Sequence, residues 1–373
     1  MGVIKYFFLN KSRTNLLSDD DCILDPVINI LTQNVSMLGD KGKFGDIYLG
    51  RCLRTRSRVF LRSIDLFRHI GIFGTTGSGK TTTTAVIIKQ LINRFNILVL
   101  DWHGEYADLL STDNVLTVGG VNPFKLSIDP STLDLEFVEI FEEVFDLTPT
   151  QSYIVMRALK ESKVSSIPQL LDVIESMEHS ARWFYDSKLS LIRKLSLLDD
   201  PLFKSLFKKE FIDLRDYLKM RKLAIIDLST LGSISLRRLT SLLTIKYIEK
   251  NVSSCSLTPL VIVVDEAHNI FTNESNTNLI ARLFGEIRKK GVGIIAVTQS
   301  PSLVSQHMIR NTNTKIIHSI KSWKDSEIIG DSIGLDSEWR RRLAYLDVGE
   351  ALISAPNYSS VKYVKIDMNV LRA

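Results

Sequence analysis

Short runs of almost wholly apolar, often β-branched residues punctuate the chain: "IGIF" (70–73), "ILVLD" (97–101), "LAIIDL" (223–228), "LVIVVD" (260–265), "GIIAVT" (293–298) and "KIIHSI" (315–320). Continuous apolar runs of this length fit strands buried on both faces, as in a parallel sheet. Helical periodicity separates most of them. In "SLRRLTSLLTIKYIEK" it sets Leu236, Leu239, Leu243 and Tyr247 near one face. Strands alternating with helices predict an α/β fold with a central, mostly parallel sheet and ligands at the carboxyl ends of the strands.

The alternation fails between about Lys125 and Tyr217, where helical patterns occur without a convincing strand. "STLDLEFVEIFEEVF" spaces Leu133, Phe137, Ile140 and Val144 as a helix would, and "DSKLSLIRKLSLL" does the same with Leu189, Ile192 and Leu195. These stripes predict the core of an all-helical subdomain inserted between two strands of the sheet. Residues 1–65 read differently: glycine turns and alternating positions in "DKGKFGDIYLGRCLRTRSRVFLRS" favour a small N-terminal β region. "GEALISAPNYSSVKYVKID" reads as two late strands joined by a Pro-Asn turn. The expected organisation is therefore a short β-rich region at 1–65, a core at 66–124 and 218–373, and a helical insertion at 125–217.

Composition narrows the class without naming a function. Of the 373 residues, 45% are hydrophobic and 24% charged, ordinary for a globular protein. No apolar run reaches the ~20 residues of a membrane helix, and "MGVIKYFFLN" predicts no signal peptide. Tyr6 stands where a myristoylated Gly2 would need Ser or Thr. Cys22, Cys52 and Cys255 are widely spaced, which points to a reducing, cytoplasmic setting rather than a disulfide framework or zinc site. The net charge of +5 is compatible with nucleic acid. Basic residues concentrate at Arg51, Arg54, Arg56, Arg58, Arg62 and Arg68 and again at Arg340, Arg341 and Arg342, as DNA-phosphate contacts or as a solvated or subunit face.

The specific signal is "GTTGSGKT", Gly74 to Thr81, which follows an apolar strand and opens a helix. It fits G-x-x-x-x-G-K-[ST], the phosphate loop of nucleotide triphosphatases. Its glycines let successive N–H groups turn inward around phosphate oxygens, and the helix adds its N-terminal dipole. Gly74, Thr75, Thr76, Gly77, Ser78, Gly79, Lys80, Thr81 and Thr82 form the expected nucleotide cradle. Lys80 reaches the β- and γ-phosphates, and the Thr81 hydroxyl ligates Mg2+.

Such a loop needs an acid near the metal and a group to activate water. "VIVVDEAH" offers Asp265 for the metal and Glu266 for the water. The same letters occur in DEAH-box RNA helicases, but those need a second full RecA-like domain, and the stretch after Asp265 reads as the rest of one sheet. Gln299, at the end of "IIAVTQ", sits where a polar sensor can contact the γ-phosphate or its water. A positive charge for the transition state can come from Arg288, Arg68 or Arg310, in the same subunit or across an interface.

The order of "DLFRHIGIFGTTGSGKT", "LVLDWHGEY", "VNPF", "KLAIIDLS", "VIVVDEAHNIF" and "GEIRKKGVGIIAVTQSPSLV" resembles the HerA-like ATPases, within the HerA/FtsK group of P-loop DNA translocases. The "HGEY" run and "RKKGVGIIAVTQSPS" are its specific parts, and it extends over about residues 45 to 366. The resemblance implies a RecA-like P-loop NTPase core forming a hexameric ring around double-stranded DNA. ATP and Mg2+ lie between its subunits, and an arginine from the neighbour, mapped to Arg288, completes each site. Arg68 matches a second family arginine, Glu105 is implied as a nucleotide-site or interface carboxylate, and a NurA-like nuclease is implied as partner. Two departures stand out. The region before the core is shorter than the family's N-terminal β-barrel, and Trp102 replaces the proline of the family's D-P-H-G-E-Y.

The leading expectation is an ATP-driven, ring-forming DNA translocase or helicase-like motor in DNA end processing or DNA pumping. Competing readings are a nucleotide-controlled binding module switched by a partner, and a mobile-element or viral packaging or transfer ATPase.

Overall fold

The computed structural model describes residues 45–128, 135–161, 164, 167–179, 181–252, 257–272 and 277–372. Cys22, Cys255, Leu133 and most of the expected N-terminal β region lie outside them.

The strands in chain order are β1 (Ile47–Cys52), β2 (Arg58–Leu61), β3 (Ile70–Phe73), β4 (Asn96–Asp101), β5 (Val115–Thr117), β6 (Phe124–Lys125), β7 (Ile212–Asp213), β8 (Leu223–Asp227), β9 (Leu260–Val264), β10 (Val292–Thr298), β11 (Thr314–Ile317), β12 (Glu350–Ser354) and β13 (Lys362–Ile366). All but β6 and β7 join one 11-stranded sheet in the order β2-β1-β13-β12-β11-β3-β10-β9-β4-β8-β5. The run from β11 to β5 is parallel throughout. The late strands β12 and β13 pair antiparallel, and β1 and β2 extend the sheet beyond them.

The continuously apolar runs have a direct cause. Leu260, Ile262 and Val264 of β9 enter one hydrophobic cluster, while Val261 and Val263 enter another on the opposite face. Helices cover both faces, so each position of a central strand is buried whichever way its side chain points.

Between β6 and β7 the chain forms helices at Leu135–Phe145, Pro149–Glu161, Gln169–Ser176 and Arg182–Leu195. Phe137, Phe141 and Phe145 stack along the first, with ring centroids 4.9 and 5.7 Å apart. One detail differs from the sequence expectation. In Arg182–Leu195 the inward face carries Phe184, Leu191 and Leu195, and Leu189 is exposed. Leucine at both 189 and 191 makes the phase ambiguous, and packing chose the phase that contains Phe184. A second addition is the two-residue ladder of β6 with β7, which closes the neck of the insertion. The helix Ile234–Asn251 is buried nearly all round rather than on one face, because it packs on the helices Leu135–Phe145 and Thr277–Lys289 and shares one hydrophobic cluster with Leu98, Leu100 and Ile226 of the sheet.

Candidate active site

Parallel register decides which side chains meet. Phe73 pairs with Thr298, Val264 with Ala296, and Leu100 with Val264. The residues that follow these strands, Gly74, Gln299 and Asp265, together with Asp101 at the end of β4, therefore emerge on one edge of the sheet.

The phosphate loop leaves β3 at Gly74 and enters the helix Lys80–Leu91. Gly79, its N-cap, has φ +108°, and a Cβ there would lie 3.2 Å from the Gly349 nitrogen. At Gly74, φ is +153° and a Cβ would sit 2.7 Å from both the His318 Cβ and the Ser78 Oγ. Neighbouring strand ends fix the loop. Thr75 donates its N–H to the Ser319 carbonyl at 2.7 Å, and Gly349 donates to the Ser78 carbonyl at 3.0 Å. Thr76 Oγ1 donates to Gln299 Oε1 at 2.6 Å, which ties the residue after β10 to the loop. Lys80 Nζ donates to the Thr75 carbonyl at 3.1 Å, and Thr81 and Thr82 are half-buried at the start of the helix.

Beneath the loop lies His318, which the sequence reading passed over. Its Nδ1 is 2.8 Å from the Glu350 carbonyl, so Nδ1 carries the proton. Its Nε2 then accepts from Thr83 Oγ1 at 3.0 Å. Complete burial, with the Lys80 charge adding to it, lowers this imidazole to about 4, so it is neutral at physiological pH. A histidine inside an apolar strand run carries no sequence signal of such a task.

The acids form a graded set. Asp101 is buried and accepts backbone N–H bonds from His103 (3.2 Å), Gly104 (2.8 Å) and Tyr106 (2.9 Å), which shapes the "HGEY" turn. Burial, then the charges of Glu266 and Asp101, push Asp265 up to about 8. Burial alone would raise Glu266 too, but His268, Lys80 and His103 outweigh it and hold this carboxyl below its ordinary value. Glu266 is thus ionised at neutral pH. Its backbone sits at φ 45°, ψ 50°, a left-handed conformation that costs a non-glycine residue on the order of 1 kcal/mol and turns the carboxylate into the site. His268 Nδ1 lies 3.1 Å from Glu266 and His103 Nε2 lies 3.6 Å from it. His268 Nδ1 also meets Thr298 Oγ1 at 3.1 Å. Burial lowers Lys80, opposed by Glu266, Asp265 and Glu105; Glu105 itself is exposed beside this group.

Trp102 is buried, with the Arg237 guanidinium 5.7 Å over its ring and donating to its carbonyl at 3.2 Å. The basic residues divide. Arg62 is tied to Asp65 at 2.7 Å and Arg340 to Asp331 at 2.6 Å. Arg54 and Arg342, from the two separate clusters, meet over the ring of Trp339 at 5.0 and 5.1 Å.

Arg68, Arg288 and Arg310 are all exposed, and all lie away from the loop. Arg68 lies two residues ahead of β3, Arg288 just ahead of β10, and Arg310 just ahead of β11. They stand at the amino ends of strands whose carboxyl ends hold the phosphate loop. Across the 7 residues of β10 that is roughly 20 Å at about 3.3 Å per residue, beyond the reach of an arginine side chain.

A glycine cradle on a helix N-terminus, a lysine inside it and two acids at the next strand ends define a P-loop ATPase. The family model for the central domain of the helicase HerA matches residues 47–246, and that for the HerA-like C-terminal domain matches residues 251–355. The chain belongs to the HerA helicase family. It is 27% identical over 347 residues to the DNA double-strand break repair helicase HerA of Sulfolobus acidocaldarius, covering 87% of this chain and 69% of that protein. Among solved structures, VirB4 of Thermoanaerobacter pseudethanolicus superposes with a TM-score of 0.67 at 17% identity, covering 88% and 97% of the two chains. The plasmid coupling protein TrwB in complex with ADP and Mg2+ follows at 0.60 and 13%, covering 90% and 92%. These likenesses establish the same sheet and loop architecture.

Proposed function

We propose that the chain is one subunit of a ring, the hexamer that its family resemblance implies, that hydrolyses ATP at subunit interfaces and uses the energy to move double-stranded DNA. The observation that carries this is the separation just described: each subunit holds the phosphate machinery at one end of the sheet and its exposed arginines at the other. A site completed only by Arg288 or Arg68 of a neighbour couples hydrolysis to assembly. The proposed ATPase core is residues 66–124 and 218–373, with β1 and β2 of the preceding region added to the edge of its sheet, and the proposed insertion is 125–217.

The residues fit ATP with Mg2+. Among the described residues no group of three or more His, Cys, Asp or Glu could hold a metal by itself. Mg2+ does not need one, since it keeps waters and takes phosphate oxygens alongside one or two protein ligands. Thr81 and Asp265 would hold it; burial beside Glu266 and Asp101 raises Asp265 to about 8, and a bound cation would favour its ionised form as a ligand. When bound, Mg2+ shields the charge of the β- and γ-phosphates. Lys80 neutralises the same oxygens. Glu266, ionised and braced by His268, orients the attacking water and accepts its proton. Gln299, tethered to Thr76, monitors the γ-phosphate. Glu105 lines the nucleotide site.

DNA contact runs mainly through phosphates, independent of sequence and weakened by salt. Among the described residues no helix is long and apolar enough to cross a membrane, and the proposed setting is cytoplasmic, with a NurA-like nuclease as partner in DNA end processing. The test is steady-state ATP hydrolysis with and without duplex DNA, with Glu266→Gln as control. Salt-sensitive stimulation lost in the variant supports the motor. Hydrolysis indifferent to DNA refutes it and favours the partner-regulated switch.

A further inference from the structure

We propose that His69 is a positioning residue that locks Arg68 and Arg288 into one rigid unit, so that both are presented together to the ATP site of the next subunit. The inference rests on the reading that these arginines act across the interface.

His69 adopts φ 60°, ψ 148°, a region essentially reserved for glycine. Strain of this kind persists only where the surroundings over-determine it. Here they do. The Ile294 N–H at the start of β10 donates to His69 Nδ1 at 3.0 Å. With Nδ1 an acceptor, Nε2 carries the proton and donates to the Phe284 carbonyl at 3.2 Å. The imidazole stands edge-on to the Phe284 ring, with centroids 5.2 Å apart at 89°. On the backbone, the Arg68 carbonyl accepts from Asn313 at 3.0 Å and the His69 carbonyl from Thr314 at 3.4 Å. One side chain thus joins β10, the helix Thr277–Lys289 and the entry to β3.

The geometry singles out the arginines. Arg68 immediately precedes His69. Arg288 is four residues after Phe284, hence on the same helical face one turn on. It is close enough that its charge is felt at the buried imidazole. A phenylalanine would fill this space as well, and nothing in packing alone asks for a ring whose two nitrogens reach two different elements. The bridge also spans the amino ends of the strands, opposite the phosphate loop, so it acts on what the subunit gives its neighbour rather than on its own nucleotide.

The experiment uses His69→Asn and His69→Gln in the full chain. Asparagine keeps an acceptor at the δ position for Ile294 and is no bulkier than histidine at this backbone, but ends short of Phe284. Glutamine restores a donor at the ε position. His69→Asn should lower kcat for DNA-stimulated hydrolysis about tenfold while KM for ATP stays within about twofold, and His69→Gln should recover part of the loss. Mixing His69→Asn with Lys80→Ala subunits should regain hydrolysis, because the Lys80→Ala subunit still offers intact arginines to the intact loop beside it. Arg288→Ala mixed with Lys80→Ala is the control. Recovery in the control without recovery for His69→Asn overturns the proposal and leaves the shared site standing. Recovery in neither overturns the shared-site reading and the proposal with it. Undiminished kcat in folded His69→Asn, or no recovery in folded His69→Gln, overturns the proposal directly.

Discussion

Acid should act on the fold through His318. The perturbation is a drop from pH 7.5 to 5.0. The imidazole titrates near 4 in the folded chain against an ordinary value of 6.5. Between those values the unfolded chain binds a proton that the folded chain does not, so stability is fully present above about 6.5 and is lost as pH falls toward 4. At pH 5.0 the loss from this one group works out at about 2 kcal/mol. The total pH dependence is not the right readout, since Asp265, pushed up to about 8 by burial and by Glu266 and Asp101, works in the opposite direction over the same interval. The difference between the chain and His318→Asn isolates the histidine. Asparagine keeps a donor for the Glu350 carbonyl, which lies 2.8 Å from Nδ1, and has no proton to gain. Urea denaturation at both pH values, without nucleotide, should show the variant less stable at pH 7.5 but losing about 2 kcal/mol less on acidification. Equal losses in the two proteins would refute the assignment of a buried, neutral, doubly bonded imidazole under the loop.

Three further outcomes follow from the geometry. Gly79→Ala places a Cβ 3.2 Å from the Gly349 backbone at φ +108°; if about 1–2 kcal/mol of strain is felt at the phosphate cradle, ATP affinity measured by titration calorimetry should fall about five- to thirtyfold. Arg237 donates to the carbonyls of Leu231, Trp102 and Ser229, so Arg237→Ala should lower the thermal midpoint with a loss of roughly 2 kcal/mol, and Arg237→Lys should not restore it, lacking the planar fork. Leu191→Ala should cost about 2–5 kcal/mol and Leu189→Ala under about 1 kcal/mol, because the first is fully buried and the second is 37% exposed; denaturant midpoints of the pair report which phase of the helix faces inward.

Much of the site was legible in the sequence because its chemistry is local. Gly74 to Thr81 are contiguous, and their spacing alone imposes an inward-turned loop on a helix N-terminus. Asp265 and Glu266 were visible because charges at the end of "LVIVV" contradict everything before them. The strands were legible because burial on both faces leaves no polar alternation to write. Other features depend on elements far apart in the chain. His318 matters because the sheet order sets β11 beside β3, and His69 because β10 and the helix ahead of it converge on one ring. Leu189 and Leu191 offered equal apolarity, and only the packing of Phe184 chose between them. Arg54 and Arg342 looked like members of separate basic clusters until folding put both against Trp339. The sequence by itself determined the cradle, its acids and the alternation that builds the sheet, since short-range geometry and hydrophobicity are written residue by residue. Only the tertiary structure decided that the arginines face away from their own nucleotide, because which end of a strand a residue occupies relative to another strand's end is a property of register and order, not of composition.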